Sequence, residues 1–249
     1  MDEKFRLIAR PSRILEKTEA IFLCNIIVKL TPYFSYFFSK HTKIKPNTIS
    51  ITSIFFLSIS FFFLITKNYG IAFLFIFLNI FLDHIDGELA RINKQTSNFG
   101  SFLEKLNSDF FYLFFYNIFV YNFYIDGKIN LTIFFILVSI SLSFSLIRNR
   151  ISQITLSENF SFNKINQILL GLFKYSNDIR NKNLTSKITY IFFWNIISSG
   201  GISETILCAL LFLDLSNLAL NYLFFYYLIL IIYILSLSII KIYYKKIND

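Results

Sequence analysis

The stretch FLDHIDGELARINKQTSNFGSFLEKLNSD, Phe81 to Asp109, places five carboxylates (Asp83, Asp86, Glu88, Glu104 and Asp109) and Arg91 in a chain that is otherwise 55% hydrophobic. The runs on either side of it are long and uncharged, and only 16% of the 249 residues carry charge. A soluble globule cannot cover its surface with so little polarity, so the composition reads as an all-α integral membrane protein. Apolar runs at about 46–66, 70–90, 103–125, 129–147, 189–213 and 217–240 each approach the roughly 20 residues needed to cross about 30 Å of hydrocarbon. Six transmembrane helices are expected.

The cations orient these spans. With both termini inside, 22 of the 24 lysines and arginines fall on one side, and only Lys67 and Lys128 fall on the other. That asymmetry marks the cytoplasmic face. The net charge of +9 is accounted for by topology and anionic lipid, and no nucleic-acid motif accompanies it. Residues 1–45 form a separate N-terminal region. Its start is charged throughout and carries no small-residue cleavage site, which argues against a cleaved signal peptide. Residues 20–38 are apolar but interrupted by Lys29 and Pro32, the pattern of an amphipathic helix lying in the interface ahead of the six-helix domain 46–249. Cys24 and Cys208 form no metal-binding pattern and read as small core residues. The polar segment 148–188 reads as a cytoplasmic loop containing a short helix near NQILLGLFKY. Arg148 and Arg150 cap the fourth span, where a phosphate could also be held.

At 100° per residue, Asp86, Gly87 and Ala90 fall within about 60° of Asp83 on one helix stripe, while Glu88 points away. In the following helix Gly100, Glu104 and Ser108 repeat at i, i+4 and i+8, joined by Asn107. Carboxylates on membrane helices cost roughly 2.5–3.5 kcal/mol each and persist where they bind something. Hard oxygen ligands beside very small residues suit Mg²⁺ or Mn²⁺ and, through the ion, a diphosphate. Glu88, Lys94 and Lys105 read instead as charges reaching the aqueous interface, and His84 as a satisfied interfacial histidine. Glu204 in the fifth span reads as structural.

The pattern Asp83, Asp86, Gly87, Ala90, Arg91, then eight residues to Gly100, resembles the signature of the CDP-alcohol phosphotransferases, DxxDGxxAR followed by GxxxDxxxD. KPNTIS, Lys45 to Ser50, is similar to the entry of that family's first membrane helix. The resemblance implies a transferase of phospholipid biosynthesis in the cytoplasmic (inner) membrane, its active site on the cytoplasmic face. It would take a substituted phosphate from a CDP-linked donor, foremost CDP-diacylglycerol, pass it to a small polar alcohol or sugar phosphate, and release CMP. Asp83, Asp86 and Glu104 would hold two Mg²⁺ or Mn²⁺ ions, and Gly87, Ala90, Arg91 and Gly100 would contact the nucleotide. Membrane lipid and a second copy of the chain, as a homodimer, are the further partners implied.

The second half departs from the pattern: GSFLEKLNS puts Glu104 at the first aspartate and Ser108 at the second, the position of the general base. Asp109 follows immediately, and a π-bulge between Gly100 and Asp109 would turn it into the site as a displaced base. Otherwise another group or water takes the proton. Two rival functions stand beside the enzyme: a degenerate relative that binds nucleotide or a partner, and a secondary transporter, whose intramembrane carboxylates would sit nearer the midplane.

Overall fold

The computed structural model describes Ala9, residues 22–157 and residues 202–248. Among them the regular structure is entirely helical: α1 (Phe22–His41), α2 (Pro46–Ile65), α3 (Tyr69–Ile92), α4 (Asn98–Ile125), α5 (Leu131–Ser157), α6 (Ile202–Phe212) and α7 (Ser216–Asn248). Pro46 opens α2, where its missing N–H costs nothing. Ser97, extended at φ −142°, caps α4 by accepting from Gly100 N at 3.0 Å. Asn130 caps α5 in the same way, through Ile133 N at 2.9 Å.

Four of the turns between helices close alike. The bonds Asn68 N to Phe63 O, Gln95 N to Ala90 O, Lys128 N to Phe123 O and Leu215 N to Leu210 O each reach back five residues and satisfy a helix-end carbonyl. Each closure needs one left-handed residue: Lys67 at φ 60°, Lys94 at φ 55°, Gly127 at φ 69° and Asp214 at φ 58°. Only Gly127 adopts that region without cost. Lys94→Gly is expected to stabilise the bundle by about 1 kcal/mol, read as a higher thermal midpoint. An unchanged or lower midpoint would mean that the Lys94 side chain contributes more than its backbone strain takes away.

The helices α3 and α2 lie at the centre of the packing: α3 contacts α1, α2 and α6, α2 contacts α4, and α5 and α7 close the far side against α4, α6 and each other. Leu57, Leu64, Ala72, Ile76, Phe115 and Phe119 fill the interior, and Tyr116 stacks on Tyr226 with ring centroids 3.9 Å apart. Ile51, Phe55, Phe62 and Ile65 of α2 face outward. By length and composition α2 and α3 can cross a membrane, with mean hydropathies of 2.2 and 1.5.

Against the six expected spans, α2 and α3 match the first two, whereas α4 begins five residues before 103 and α5 continues through Arg148 and Arg150 to Ser157. The first ten residues of the expected loop 148–188 are therefore helix: loss of hydropathy ends a membrane span, but it does not end a helix whose residues keep helical propensity. The rest of that loop and the first half of the fifth span lie outside the described residues. Helix α1 covers residues 22–38 of the expected interfacial segment and runs unbroken through Pro32. Cys208 is buried, as expected.

Candidate active site

The turns α2–α3, α4–α5 and α6–α7 meet at one end of the bundle around a cavity of about 500 Å³ lined by Lys67, Tyr69, Asp126, Lys128 and Asp214, with Lys67 and Asp126 ion-paired. The motif residues gather at the opposite end, where α3 turns into α4.

Three helices build that end. On α3, Asp83 is half-buried and Asp86 is 9% exposed. From the first turns of α2, buried Ser50 lies against Asp86, its hydroxyl donating to the Pro46 carbonyl at 3.3 Å. On α4, Asn107 Nδ2 donates to Asp83 Oδ1 at 3.1 Å. The start of α4 also rests on α2: a Cβ placed on Gly100 would stand 3.2 Å from Asn47 Oδ1 and 3.3 Å from Ser97 Oγ, so a side chain there would force those neighbours apart. Asn47 and Ser50, both within KPNTIS, thus touch the two halves of the motif.

Gly87 leaves room for the Arg91 guanidinium, whose nearest nitrogen lies 3.4 Å from where a Cβ would be. Arg91 Nε donates to the backbone carbonyl of Ala9 at 2.6 Å, which brings Ala9 to the motif arginine. Ala90 is half-buried, and His84 is likewise partly covered. Lys94 and Lys105 are exposed, as charges at an aqueous boundary should be.

Glu88 corrects the sequence reading. It points off the stripe, as expected, but it is fully buried rather than reaching the interface, and it accepts hydrogen bonds from Thr31 Oγ1 at 2.7 Å and Ser35 Oγ at 2.6 Å. With Ser39 Oγ donating to Asn93 Oδ1 at 2.8 Å, it fastens α1 along the site-bearing end of α3. The physical reason is that two hydroxyls one turn apart on α1 replace the water a carboxylate would otherwise seek. Glu88→Ala should destabilise the protein by about 1–3 kcal/mol for each hydroxyl that loses its acceptor, measured by thermal or denaturant unfolding in detergent. A wild-type midpoint would overturn this role.

Asp109 is the second correction. Helix α4 is regular α-helix from Asn98 to Ile125, with no π turn between Gly100 and Asp109. Because Asn107 faces Asp83, Asp109 lies about 200° around the helix from the site. A backbone already satisfied by its i→i+4 bonds gains nothing from a bulge. Ser108 is half-buried, and Glu104 is exposed at the mouth of the site.

Among the described residues no three His, Cys, Asp or Glu side chains stand together as a cation cage. The charges of Asp83 and Glu104 nevertheless both act on Asp86. A divalent cation would compensate like charges gathered at the end of an apolar bundle, and the hard oxygens of Asp83 and Asp86 are of the kind that fit Mg²⁺ or Mn²⁺, with Glu104 outside the pair.

An uncharacterized protein of Aquifex aeolicus (strain VF5) is 35% identical to the chain over 83 residues, 30% of this chain and 42% of that protein. The chain thus spans about two fifths of that relative's length. Residues 43–240 match the family model described as CDP-alcohol phosphatidyltransferase. Members of that family are membrane-bound transferases that use CDP-alcohols in lipid biosynthesis and are generally dependent on divalent metal. On the match across most of its length, the chain belongs to the CDP-alcohol phosphatidyltransferase family.

Proposed function

We propose that the end of the bundle where α2, α3 and α4 meet binds a CDP-linked donor, foremost CDP-diacylglycerol, and passes its substituted phosphate to a small polar alcohol or sugar phosphate. The observation that carries this reading is the Asp83, Asp86, Gly87, Ala90, Arg91 stripe of α3, which the Ser50 and Asn107 contacts turn toward α2 and α4. Asp83 and Asp86 would hold Mg²⁺ or Mn²⁺. Such a cation, when bound, supplies positive charge to the diphosphate and to the leaving phosphate. Gly87 and Ala90 let the nucleotide approach the helix backbone, and Arg91 meets its phosphate once the Ala9 carbonyl gives way.

In the reaction the acceptor hydroxyl oxygen bonds to the phosphorus distal to cytidine, the bond from that phosphorus to the bridging oxygen breaks, and CMP leaves with the electron pair. The hydroxyl proton needs a base. Ser108 cannot take it near neutral pH, and Asp109 faces elsewhere. Glu104, on the site-facing arc and outside the Asp83–Asp86 pair, is the carboxylate left for the acceptor side. The concentration of cations at this end of the chain supports a site on the cytoplasmic face of the inner membrane.

One observation favours a second reading, a degenerate relative that binds nucleotide without turnover: Ser108 stands where the signature has a carboxylate. The experiment is a screen of the purified protein with CDP-diacylglycerol against glycerol phosphate, serine, inositol and inositol phosphate, following CMP release. CMP release with one acceptor supports the transferase. Metal-dependent CDP binding without CMP release supports the degenerate reading, and turnover only with a CDP-amino alcohol and diacylglycerol reverses the donor.

A further inference from the structure

Two buried asparagines stand behind Asp83. Asn79, one turn along α3, is 3% exposed, and Asn107 on α4 is 7% exposed. Asn79 Nδ2 donates to the Ser53 backbone carbonyl of α2 at 2.8 Å and to Asn107 Oδ1 at 2.9 Å, and Asn107 Nδ2 donates in turn to Asp83 Oδ1 at 3.1 Å. Amide groups buried in an apolar bundle are costly unless they are bonded, and here both NH₂ groups and the Asn107 oxygen are bonded in sequence.

The order of the chain is fixed by its far end. A backbone carbonyl can only accept, so Asn79 must turn its NH₂ toward Ser53; that NH₂ also meets Asn107, so Asn107 must offer its oxygen there and its NH₂ to Asp83. An N–H is thereby delivered to one defined oxygen of the carboxylate. The same α2 face contributes twice, since Ser53 lies one turn beyond Ser50, which contacts Asp86.

We infer that Asn79 and Asn107 are positioning residues: a two-amide relay, anchored on the Ser53 carbonyl, that sets the orientation of Asp83 for a divalent cation shared with Asp86. The inference rests on the metal reading of the site. Partners that orient a metal ligand from behind are typically worth about 10–100-fold in metal affinity. Asn107→Leu, which removes the donor to Asp83 at similar volume, should weaken Mn²⁺ binding by about that factor. Asn79→Leu should weaken it less, by roughly 3–10-fold, because it acts through Asn107. The double variant should match Asn107→Leu alone, since the two side chains are one path.

The experiment is titration of the purified protein with Mn²⁺, read by the free-ion electron paramagnetic resonance signal, with unfolding midpoints recorded without metal. Asn122→Leu serves as the control: Asn122, on the same helix as Asn107 but far from the site, is 3% exposed and its Nδ2 donates to Leu64 O of α2 at 2.9 Å. It should lower the midpoint and leave Mn²⁺ affinity unchanged. If Asn107→Leu does not fold, Asn107→Ser removes the same donor with a smaller side chain and the same expected loss. Wild-type affinity in Asn107→Leu or Asn107→Ser overturns the relay, as do strictly additive effects in the double variant. A wild type that binds no Mn²⁺, indistinguishable from Asp83→Asn, overturns the metal reading itself and the relay with it.

Discussion

Asp83→Asn is expected to remove cation-dependent CDP binding while leaving the fold intact. The substitution keeps shape and volume, and the new amide can still present its oxygen to Asn107 Nδ2, so the hydrogen bond at 3.1 Å survives. What is lost is the charge. Asp86 alone then faces the ion, and affinity for CDP in the presence of Mg²⁺ should fall by roughly 100-fold or more, beyond the 10–100-fold typical of a lost orienting partner. Removing one of the like charges acting on Asp86 should leave the metal-free protein no less stable. Calorimetric titration with CDP, with Mg²⁺ and with chelator, separates these effects. Equal affinity of the wild type in both conditions would mean that the aspartates bind no cation in the nucleotide complex.

The Asp83–Asp86–Gly87–Ala90 stripe was legible because helical periodicity alone places those residues together, and Pro46 marks the start of α2 by its own chemistry. Glu88 was only half legible. Its angle shows that it leaves the stripe, but nothing local says that Thr31 and Ser35, 57 and 53 positions away, will meet it. Asn79 is the same kind of case: an asparagine in the apolar run YGIAFLFIFLNIFLD is a buried polar group in search of a partner, one turn before Asp83, yet its partners come from α2 and α4. Backbone choices were the least legible. Whether α4 bulges near Asp109 depends on main-chain bonding that side-chain spacing does not encode, and the regular helix decides it.

That regular helix makes the largest functional prediction. Measured from Asn107, Glu104 lies about 60° around α4 and Ser108 about 100° on the same side, whereas Asp109 lies about 200° away. Glu104→Gln should therefore lower turnover by the roughly 10²–10⁴-fold typical of a lost general base while CDP binding persists, and Asp109→Asn should turn over near the wild-type rate. CMP release under saturating donor, with CDP affinity measured alongside, checks both. The reverse pattern, with Asp109→Asn silent and Glu104→Gln active, would require α4 to rewind when substrate binds. If the wild type releases no CMP, the deciding variant is Ser108→Asp: about 40° from Glu104 and one turn further into the bundle, it restores the second carboxylate of the signature on the same arc. CMP release gained by Ser108→Asp would identify a nucleotide site that has kept its cation ligands and lost only its base.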